Sequence, residues 1–244
     1  MRALDGPVLW HDVECASYAA DLPLWRALAA ERPGAVLELG CGTGRVALDL
    51  AALAHDVTGL DSDPALVAAL ASRARARGLR LHASVGDARS FRLDREFALA
   101  IAPMQVIQLL GGAAGRARAL RRVRAHLRPG GALAAALADP FEGLPEGDAL
   151  PPLPDVREED GWVYSSTPVV VRPEGEATAI DRLRQAVSPR GELSESLATI
   201  RLDRLAPGEL EAEAEAVGFR ALAPRSVPET EGYVGSTVVI LEAV

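Results

Sequence analysis

The chain has 244 residues, with 34 acidic side chains against 26 basic ones, and a formal net charge of −8. This length predicts one elaborated domain or a domain with a small insertion, and the 49% share of hydrophobic residues is ample for a core. The negative charge argues against a nucleic-acid partner, because binding a phosphate backbone needs a positively charged surface. Every basic residue is an arginine, and the lack of lysine excludes Schiff-base catalysis and a phosphate-binding loop of the Gly-Lys-Ser/Thr type.

The sequence lacks the features expected of a membrane or secreted protein. No segment is a long apolar run free of charge, and residues 1–7 lack a secretory apolar core. The two cysteines are Cys15 and Cys41, which argues against a disulfide scaffold or a cysteine-built zinc site. We therefore expect a cytoplasmic protein with no membrane partner and no metal.

The first strong structural pattern in chain order is a strand that runs into a glycine loop. Residues 36–39 are apolar apart from Glu38, residues 40–44 alternate glycine with Cys41 and Thr43, and a helical pattern follows from Arg45. Glycines let the main chain approach a bound molecule, and the helix start offers free N–H groups. This pattern predicts a nucleotide-type pocket, although a tight strand-to-helix turn without a ligand would have the same sequence.

Further predicted strands also end in polar or turn-forming groups. Residues 56–61 form a strand that ends in Asp61, about 20 residues after the first glycine, the distance at which such folds bind ribose hydroxyls. Residues 79–85 lead to Asp87 and Ala88, and residues 97–102 lead to Pro103, Met104 and Gln105.

Taken together, the glycine loop, Asp61, Asp87 and residues 102–105 resemble the class I S-adenosylmethionine-dependent methyltransferases. Dinucleotide oxidoreductases favour a third glycine three residues after the second, where this chain has Arg45. Residues 126–133 resemble the family's entry to its fifth strand, so the likeness covers residues 34 to 139 in order.

The chain after the fifth strand departs from the minimal fold. A proline- and acid-rich passage through Asp160 precedes strand-like runs at residues 162–172, 177–184 and 197–202, which turn-forming residues separate. A helix from Pro207 to Val217 and strands at 219–222 and 237–241 then complete the core, with the last strand antiparallel by resemblance.

The resulting fold class is α/β, a Rossmann-like seven-stranded methyltransferase sheet with helices on both faces and an antiparallel β insertion after the fifth strand. The predicted units are an N-terminal helical cap at 1–33, the cofactor-binding core at 34–139 and 206–244, and the insertion at 140–205. An insertion at this edge of the sheet is well placed as a lid over a small substrate. The alternative, to which we give equal weight, is that the insertion forms a homodimer surface.

The resemblance implies a cofactor, S-adenosyl-L-methionine, and a set of residues around it. The implied cofactor-binding residues are Tyr18, Glu38, Gly40, Cys41, Gly42, Gly44, Asp61, Ser62, Asp87, Ala88 and Ala102. Among them, Glu38 would orient the loop or reach the amino group, Asp61 would hold the ribose, and Asp87 with Ala88 would contact the adenine. Two alternatives stay open: Ser62 or Asp63 caps the next helix, and Asp87 caps a turn.

Candidate residues for the methyl acceptor lie in three places. His11, near the N-terminus, is the candidate base among the four histidines, although an exposed imidazole is the simpler interpretation. Gln105 is the other catalytic candidate. Met104, Gln105 and Tyr233 are predicted to contact the substrate, against core packing for Met104 and a surface loop for Tyr233.

The implied reaction is in-line displacement, in which an O, N, S or C atom of a small molecule attacks the sulfonium methyl group. Positioning supplies most of the acceleration in such a reaction, and a base is needed only if the acceptor must lose a proton. The alternative is a non-catalytic S-adenosylmethionine-binding or scaffolding protein.

Overall fold

The computed structural model describes residues 6–138, 153–230 and 233–244. Its helices are α1 (Pro7–Cys15), α2 (Leu22–Glu31), α3 (Arg45–Ala52), α4 (Pro64–Ala76), α5 (Gly112–Arg124) and α6 (Pro207–Glu215), with a short 3₁₀ turn at Val106–Leu109. The strands are β1 (Val36–Leu39), β2 (Val57–Asp61), β3 (His82–Val85), β4 (Phe97–Ala102), β5 (Leu127–Leu137), β6 (Asp155–Glu159), β7 (Trp162–Glu174), β8 (Ala177–Val187), β9 (Leu193–Asp203), β10 (Phe219–Val227) and β11 (Ser236–Ala243). In these ranges no helix is long and apolar enough to cross a membrane.

The described strands form two sheets. The larger has seven strands in the order β10-β11-β5-β4-β1-β2-β3. Strands β1 to β5 run parallel to one another in it, while β11 is antiparallel to both β5 and β10. The second sheet, β6-β7-β8-β9, is antiparallel throughout. The fold class predicted from the sequence is confirmed, including the antiparallel last strand and the insertion after β5.

Helices cover both faces of the large sheet, because its central strands are apolar on both sides. Every residue of β1 and β4 is buried. Alternate side chains of β1 point to opposite faces, so Val36 packs in a cluster with α2, α3 and α4, whereas Leu37 packs in a second cluster with α5 and α6. Because β1 to β4 run parallel to one another, their carboxyl ends lie at the same edge of the sheet.

The insertion differs from the sequence prediction in one element. Strand β6 lies inside the passage before Asp160 that the sequence analysis treated as irregular. Its residues include a single apolar side chain, Val156, and it pairs only with β7, so no alternating pattern marked it. The start of that passage, from Asp139, lies outside the described residues.

One face of the insertion sheet is held against α1. Glu14 accepts hydrogen bonds from Ser166 Oγ (2.8 Å) and Arg184 Nε (2.7 Å), and the Arg184 guanidinium lies 5.3 Å from the Trp10 ring centre. Trp10 also meets Tyr164 edge to face at 6.1 Å. The insertion is therefore joined to the N-terminal cap by charge and by aromatic packing.

A buried glutamine joins the two ends of the insertion to the core. Gln108 donates to the carbonyl oxygens of Ala138 (3.0 Å) and Asp203 (3.1 Å), and its side-chain oxygen accepts from the Ala138 N–H (3.0 Å). Ala138 directly follows β5 and Asp203 ends β9. The insertion thus leaves and re-enters the core next to the 3₁₀ turn that follows β4.

Candidate cofactor and acceptor site

A cavity of about 340 Å³ lies at the edge of the sheet where β1 to β4 end, under α1. The predicted site residues that line it are His11, Glu38, Gly40, Cys41, Asp61, Ser62, Asp87, Ala88 and Met104. Parallel strands deliver their carboxyl ends to one edge, which is where ligands of open α/β sheets bind. Residues scattered from position 11 to position 104 in the sequence therefore meet around one hollow.

Two glycines of the glycine loop lie very close to side chains of the helices α1 and α4. Gly42 has a φ of +52°, and a Cβ added there would lie 2.0 Å from Nε2 of His11. A Cβ added to Gly44, with a φ of +98°, would lie 2.3 Å from Leu70. Neither glycine is among the residues that line the cavity, and their predicted role in cofactor binding stays a prediction. Their lack of a side chain leaves room for α1 and α4 to pack onto the loop.

Glu38 is a buried ionisable residue of the site. It is 3% exposed, and one carboxyl oxygen, Oε2, has no hydrogen-bond partner among the described residues. Burial raises the pKa of Glu38 to about 8, against the opposing effects of the Arg45 charge and a hydrogen bond from the Ala47 backbone. An unpaired buried acceptor is costly for the fold. A carboxyl group of this kind, on a residue that lines the cavity, is matched to a ligand that donates a hydrogen bond or carries positive charge.

Asp61 holds the loop at the end of β2. Its Oδ2 accepts from the Gly42 N–H and its Oδ1 from the Asp63 N–H, both at 2.9 Å. Asp63, and not Ser62, caps α4, since its carboxylate accepts from the Ala65 N–H at 2.7 Å. This settles the alternative for Ser62, which lies in the cavity wall. Each Asp61 oxygen keeps a lone pair for a further donor.

Asp87 is paired with a residue that the sequence analysis missed. Arg89 donates to the Asp87 carboxylate through Nε and Nη2, at 2.9 and 2.6 Å, and through its backbone N–H at 2.8 Å. Hydrogen bonds from Arg89 hold the pKa of Asp87 below its usual value. Asp87 therefore caps a turn and lines the cavity at once, and Arg89 lines it too. The sequence signal that was available for this ion pair is the Asp-x-Arg spacing of residues 87–89.

The N-terminal cap contributes a second missed residue, Asp12. It is buried and accepts hydrogen bonds from Thr43 Oγ1 (2.7 Å), Arg157 Nη1 (2.8 Å) and Arg73, whose Nη1 is at 2.9 Å. Burial would raise the pKa of Asp12, but hydrogen bonds from Arg73 and Thr43 outweigh it and keep the pKa low. Asp12 therefore connects α1 to the glycine loop, to α4 and to strand β6 of the insertion.

His11 lies over the glycine loop at the roof of the cavity. Its Nδ1 is 3.3 Å from Thr43 Oγ1. Burial lowers the pKa of His11, partly opposed by the charges of Asp12 and Asp61. His11 is thus a partly buried imidazole at the site and not an exposed one.

Two predicted tyrosines lie beside the cavity without lining it. Tyr18 is buried against the guanidinium of Arg45 (5.0 Å to the ring centre), which itself pairs with Asp21 at 2.5 Å. Tyr233 packs on Tyr18 with ring centres 4.7 Å apart, and its hydroxyl group donates to Asp155 (3.0 Å). These contacts use both rings to fasten the cap to the core and to the insertion.

Of the residues that follow β4, some line the cavity and others lie outside its wall. Met104 and Gln105 both have left-handed backbones, with φ of +48° and +58°. This turn places Met104 in the cavity wall and Gln105 outside it, while Ala102 is fully buried in β4. The wall residues that the sequence analysis missed are Cys15, Arg45, Leu60, Gly86, Arg89, Pro103, Val106, Leu109 and Leu110. Helical spacing from His11 was the signal available for Cys15.

The strands that end at the cavity lie in a part of the chain that matches a known protein family. The model of a methyltransferase domain family matches residues 36–131, which contain β1 to β4 and most of the cavity wall. A curated protein named Hemagglutinin 1, from Eikenella corrodens, is 33% identical over 99 residues, which are 41% of this chain and 32% of that protein. The chain thus spans about a third of the length of that relative.

Solved structures match over nearly the whole chain. An aminopentose methyltransferase, CalS10 from Micromonospora echinaspora, solved with bound S-adenosylmethionine, has a TM-score of 0.73 at 23% identity and 100% coverage of both chains. A glycopeptide N-methyltransferase, MtfA, solved with S-adenosyl-L-homocysteine, has a TM-score of 0.62 at 26% identity, covering 100% of this chain and 98% of that one.

The fold is that of the class I methyltransferases, as the sequence predicted. Residues 36–131 match a methyltransferase domain, and structures with this fold have been solved with S-adenosylmethionine or S-adenosyl-L-homocysteine bound.

Proposed function

We propose that the protein transfers a methyl group from S-adenosyl-L-methionine to a small-molecule acceptor. The observation that carries this proposal is the convergence of Glu38, Asp61 and Asp87 on one cavity, together with a Glu38 carboxyl oxygen that is buried without a hydrogen-bond partner among the described residues. The near-complete structural matches to two methyltransferases named for an aminopentose and a glycopeptide support a small acceptor. An amine nitrogen is the acceptor atom most consistent with those two names.

The cavity wall fits the cofactor. When bound, S-adenosylmethionine supplies an electrophilic methyl group on a positively charged sulfur. Glu38 would accept from the ammonium group, Asp61 from the ribose hydroxyls through its remaining lone pairs, and Asp87 with Ala88 would meet the base. Ser62, Gly40 and Cys41 would complete the wall.

His11 is the residue that we assign as base. It lines the cavity, and burial lowers its pKa below 6.5, so its imidazole is neutral at physiological pH and able to take a proton. Gln105, the other candidate, lies outside the wall. We place Met104 at the acceptor because it faces the cavity, and Tyr233 one layer behind because its hydroxyl group is committed to Ser17 and Asp155.

Turnover with cofactor that carries a labelled methyl group tests the proposal. Panels of small amines, alcohols and thiols are incubated with the wild-type protein and with His11→Asn, with His55→Asn as a control at the opposite end of the sheet. We expect label in an amine product, lost at least a hundredfold in His11→Asn. Cofactor binding without any labelled product across the panel would instead indicate a non-catalytic binding protein.

For the insertion, we propose a lid role that acts through the cap, with a homodimer surface as the open alternative. Support for the first is the contact of Arg157 and Arg184 with α1. Support for the second is the opposite face, where Leu193 and Leu197 are 55% and 71% exposed. Sedimentation of wild type and Leu197→Glu tests the homodimer, since a dimer formed through this face would dissociate in the variant, while the lid role is compatible with either result.

We also propose a cytoplasmic location. The two cysteines are unpaired and both line the cavity, a state that a reducing compartment maintains. Fractionation of cells that produce the protein tests this, and recovery from an oxidising compartment would contradict it.

A further inference from the structure

A chain of hydrogen bonds behind His11 determines which of its nitrogens carries the proton. Thr43 Oγ1 is 2.7 Å from Asp12 Oδ1, and the same hydroxyl oxygen is 3.3 Å from Nδ1 of His11. The carboxylate of Asp12 only accepts, so the single hydroxyl proton of Thr43 points to it. The remaining contact then requires Nδ1 of His11 to be the donor.

The other ring nitrogen is left with its lone pair. Nε2 of His11 lies so close to Gly42 that a Cβ atom added to this glycine would be 2.0 Å from it. Nε2 forms no hydrogen bond with the described residues. His11 is one of the residues that line the cavity, and its Nε2 lies against the glycine loop beside it.

The Asp12 carboxylate is itself fixed from two sides. Arg73 on α4 and Arg157 on β6 both donate to it, and its side chain is 3% exposed. A carboxylate held by two guanidinium groups stays ionised, so it continues to accept from Thr43 over the working pH range. The insertion therefore reaches the imidazole through Arg157, Asp12 and Thr43.

We propose that Thr43 and Asp12 are positioning residues that hold His11 in the tautomer with its proton on Nδ1, so that Nε2, which lies against Gly42 of the glycine loop, is the proton acceptor of the ring. The tautomer follows from the contacts alone, while its value for catalysis rests on the proposed function. A base in the other tautomer would carry its N–H at Nε2 and could not take a proton there.

The charges that face His11 come from three elements. Asp12 and Glu14 lie on α1, Asp61 ends β2, and Arg73 lies on α4. The three carboxylates favour the protonated imidazole and Arg73 opposes it, while burial outweighs them all. The neutral form, for which the tautomer is defined, therefore prevails at neutral pH.

Nitrogen NMR of the cofactor-free protein, labelled with ¹⁵N in histidine, reads the tautomer directly. His126 is an internal reference, because its Nδ1 faces the Arg122 carbonyl oxygen at 2.7 Å and its Nε2 accepts from the Leu93 N–H at 3.0 Å. The His11 resonances are assigned by their loss in His11→Asn. We expect His11 to match His126, with a protonated Nδ1 and a bare Nε2.

Two variants at position 43 separate positioning from packing. Thr43→Val keeps the shape but removes the hydroxyl group, and we expect His11 to shift toward the other tautomer and kcat/KM to fall roughly tenfold, part of what a positioned base contributes. Thr43→Ser restores the hydroxyl group and is expected to restore both. A protonated Nε2 in the wild type, or an unchanged tautomer in Thr43→Val, overturns the inference.

The two proposals fail in different ways. A wild-type protein without methyl transfer, but with the expected His11 spectrum and its loss in Thr43→Val, would contradict only the proposed function. An active protein with a protonated Nε2 would contradict only the tautomer. If Thr43→Val does not fold, the wild-type and Thr43→Ser spectra still decide the question.

Discussion

Replacing Glu38 with glutamine should make the cofactor-free protein more stable and its cofactor binding weaker. Burial raises the pKa of Glu38 from 4.5 to about 8, so folding must take up a proton at neutral pH. For an acid whose pKa is raised on folding, stability is full below the unfolded pKa, falls as pH rises from there, and levels off above the folded pKa. The affected window is therefore pH 4.5 to about 8.

The size of the effect follows from that window. Each pH unit between the two pKa values is worth about 1.4 kcal/mol, which gives about 1 kcal/mol at pH 5 and about 3 kcal/mol at pH 7. Glutamine is neutral in both states and nearly the same shape, so Glu38→Gln should recover this free energy of unfolding. For a chain of this length, about 3 kcal/mol corresponds to a rise in Tm of roughly 6–12 °C.

Urea unfolding at pH 5, 7 and 9 measures the gap between Glu38→Gln and wild type. Glu215→Gln, at an exposed position at the end of α6, removes the same charge and serves as the control. Calorimetry should also show at least tenfold weaker S-adenosylmethionine binding, because an amide cannot neutralise an ammonium group. A variant that is no more stable than wild type at pH 7, with no widening of the gap as pH rises, would refute the reasoning.

Substitutions at three further positions test the surroundings of the cavity. Gly42→Ala should lose about 2–4 kcal/mol and displace His11, from backbone strain and a 2.0 Å clash, and a stable variant with normal cofactor binding would contradict this. Gln108→Leu leaves main-chain groups of both ends of the insertion unpaired and should lose about 2–4 kcal/mol in urea, whereas Gln108→Glu should lose less at low pH. Tyr233→Phe removes the hydroxyl bond to Asp155 and should cost about 1 kcal/mol, so an unchanged urea midpoint would argue against that contact.

The parts of the fold that the sequence predicted are those with local patterns. Strand β4 was predicted with its observed bounds, Phe97–Ala102, because it is a continuous apolar run between polar turns. Strand β6 was missed because an edge strand needs little apolar surface and Asp155–Glu159 is mostly charged. The seven-stranded sheet with its antiparallel last strand came from the family resemblance and not from any local pattern.

In the candidate site, too, the residues that follow a local pattern were predicted, and those that depend on distant contacts were not. Glu38, Asp61 and Asp87 were predicted because each stands at or near the end of a recognisable strand. Asp12 was not predicted, since its partners Thr43, Arg73 and Arg157 are 31, 61 and 145 residues away in the chain. Contacts of that range depend on how the cap and the insertion pack, which no short pattern records.

Titration of S-adenosylmethionine into three forms of the protein tests the central claim most directly. Asp61→Asn changes the carboxyl end of β2, and Asp56→Asn makes the same change beside its other end, outside the cavity. We predict binding by wild type and by Asp56→Asn with equal affinity, and binding by Asp61→Asn that is about ten- to a hundredfold weaker, as expected for lost hydrogen bonds to a charged group. No heat of binding in the folded wild type, or equal affinity in all three, would contradict a cofactor held at this edge of the sheet.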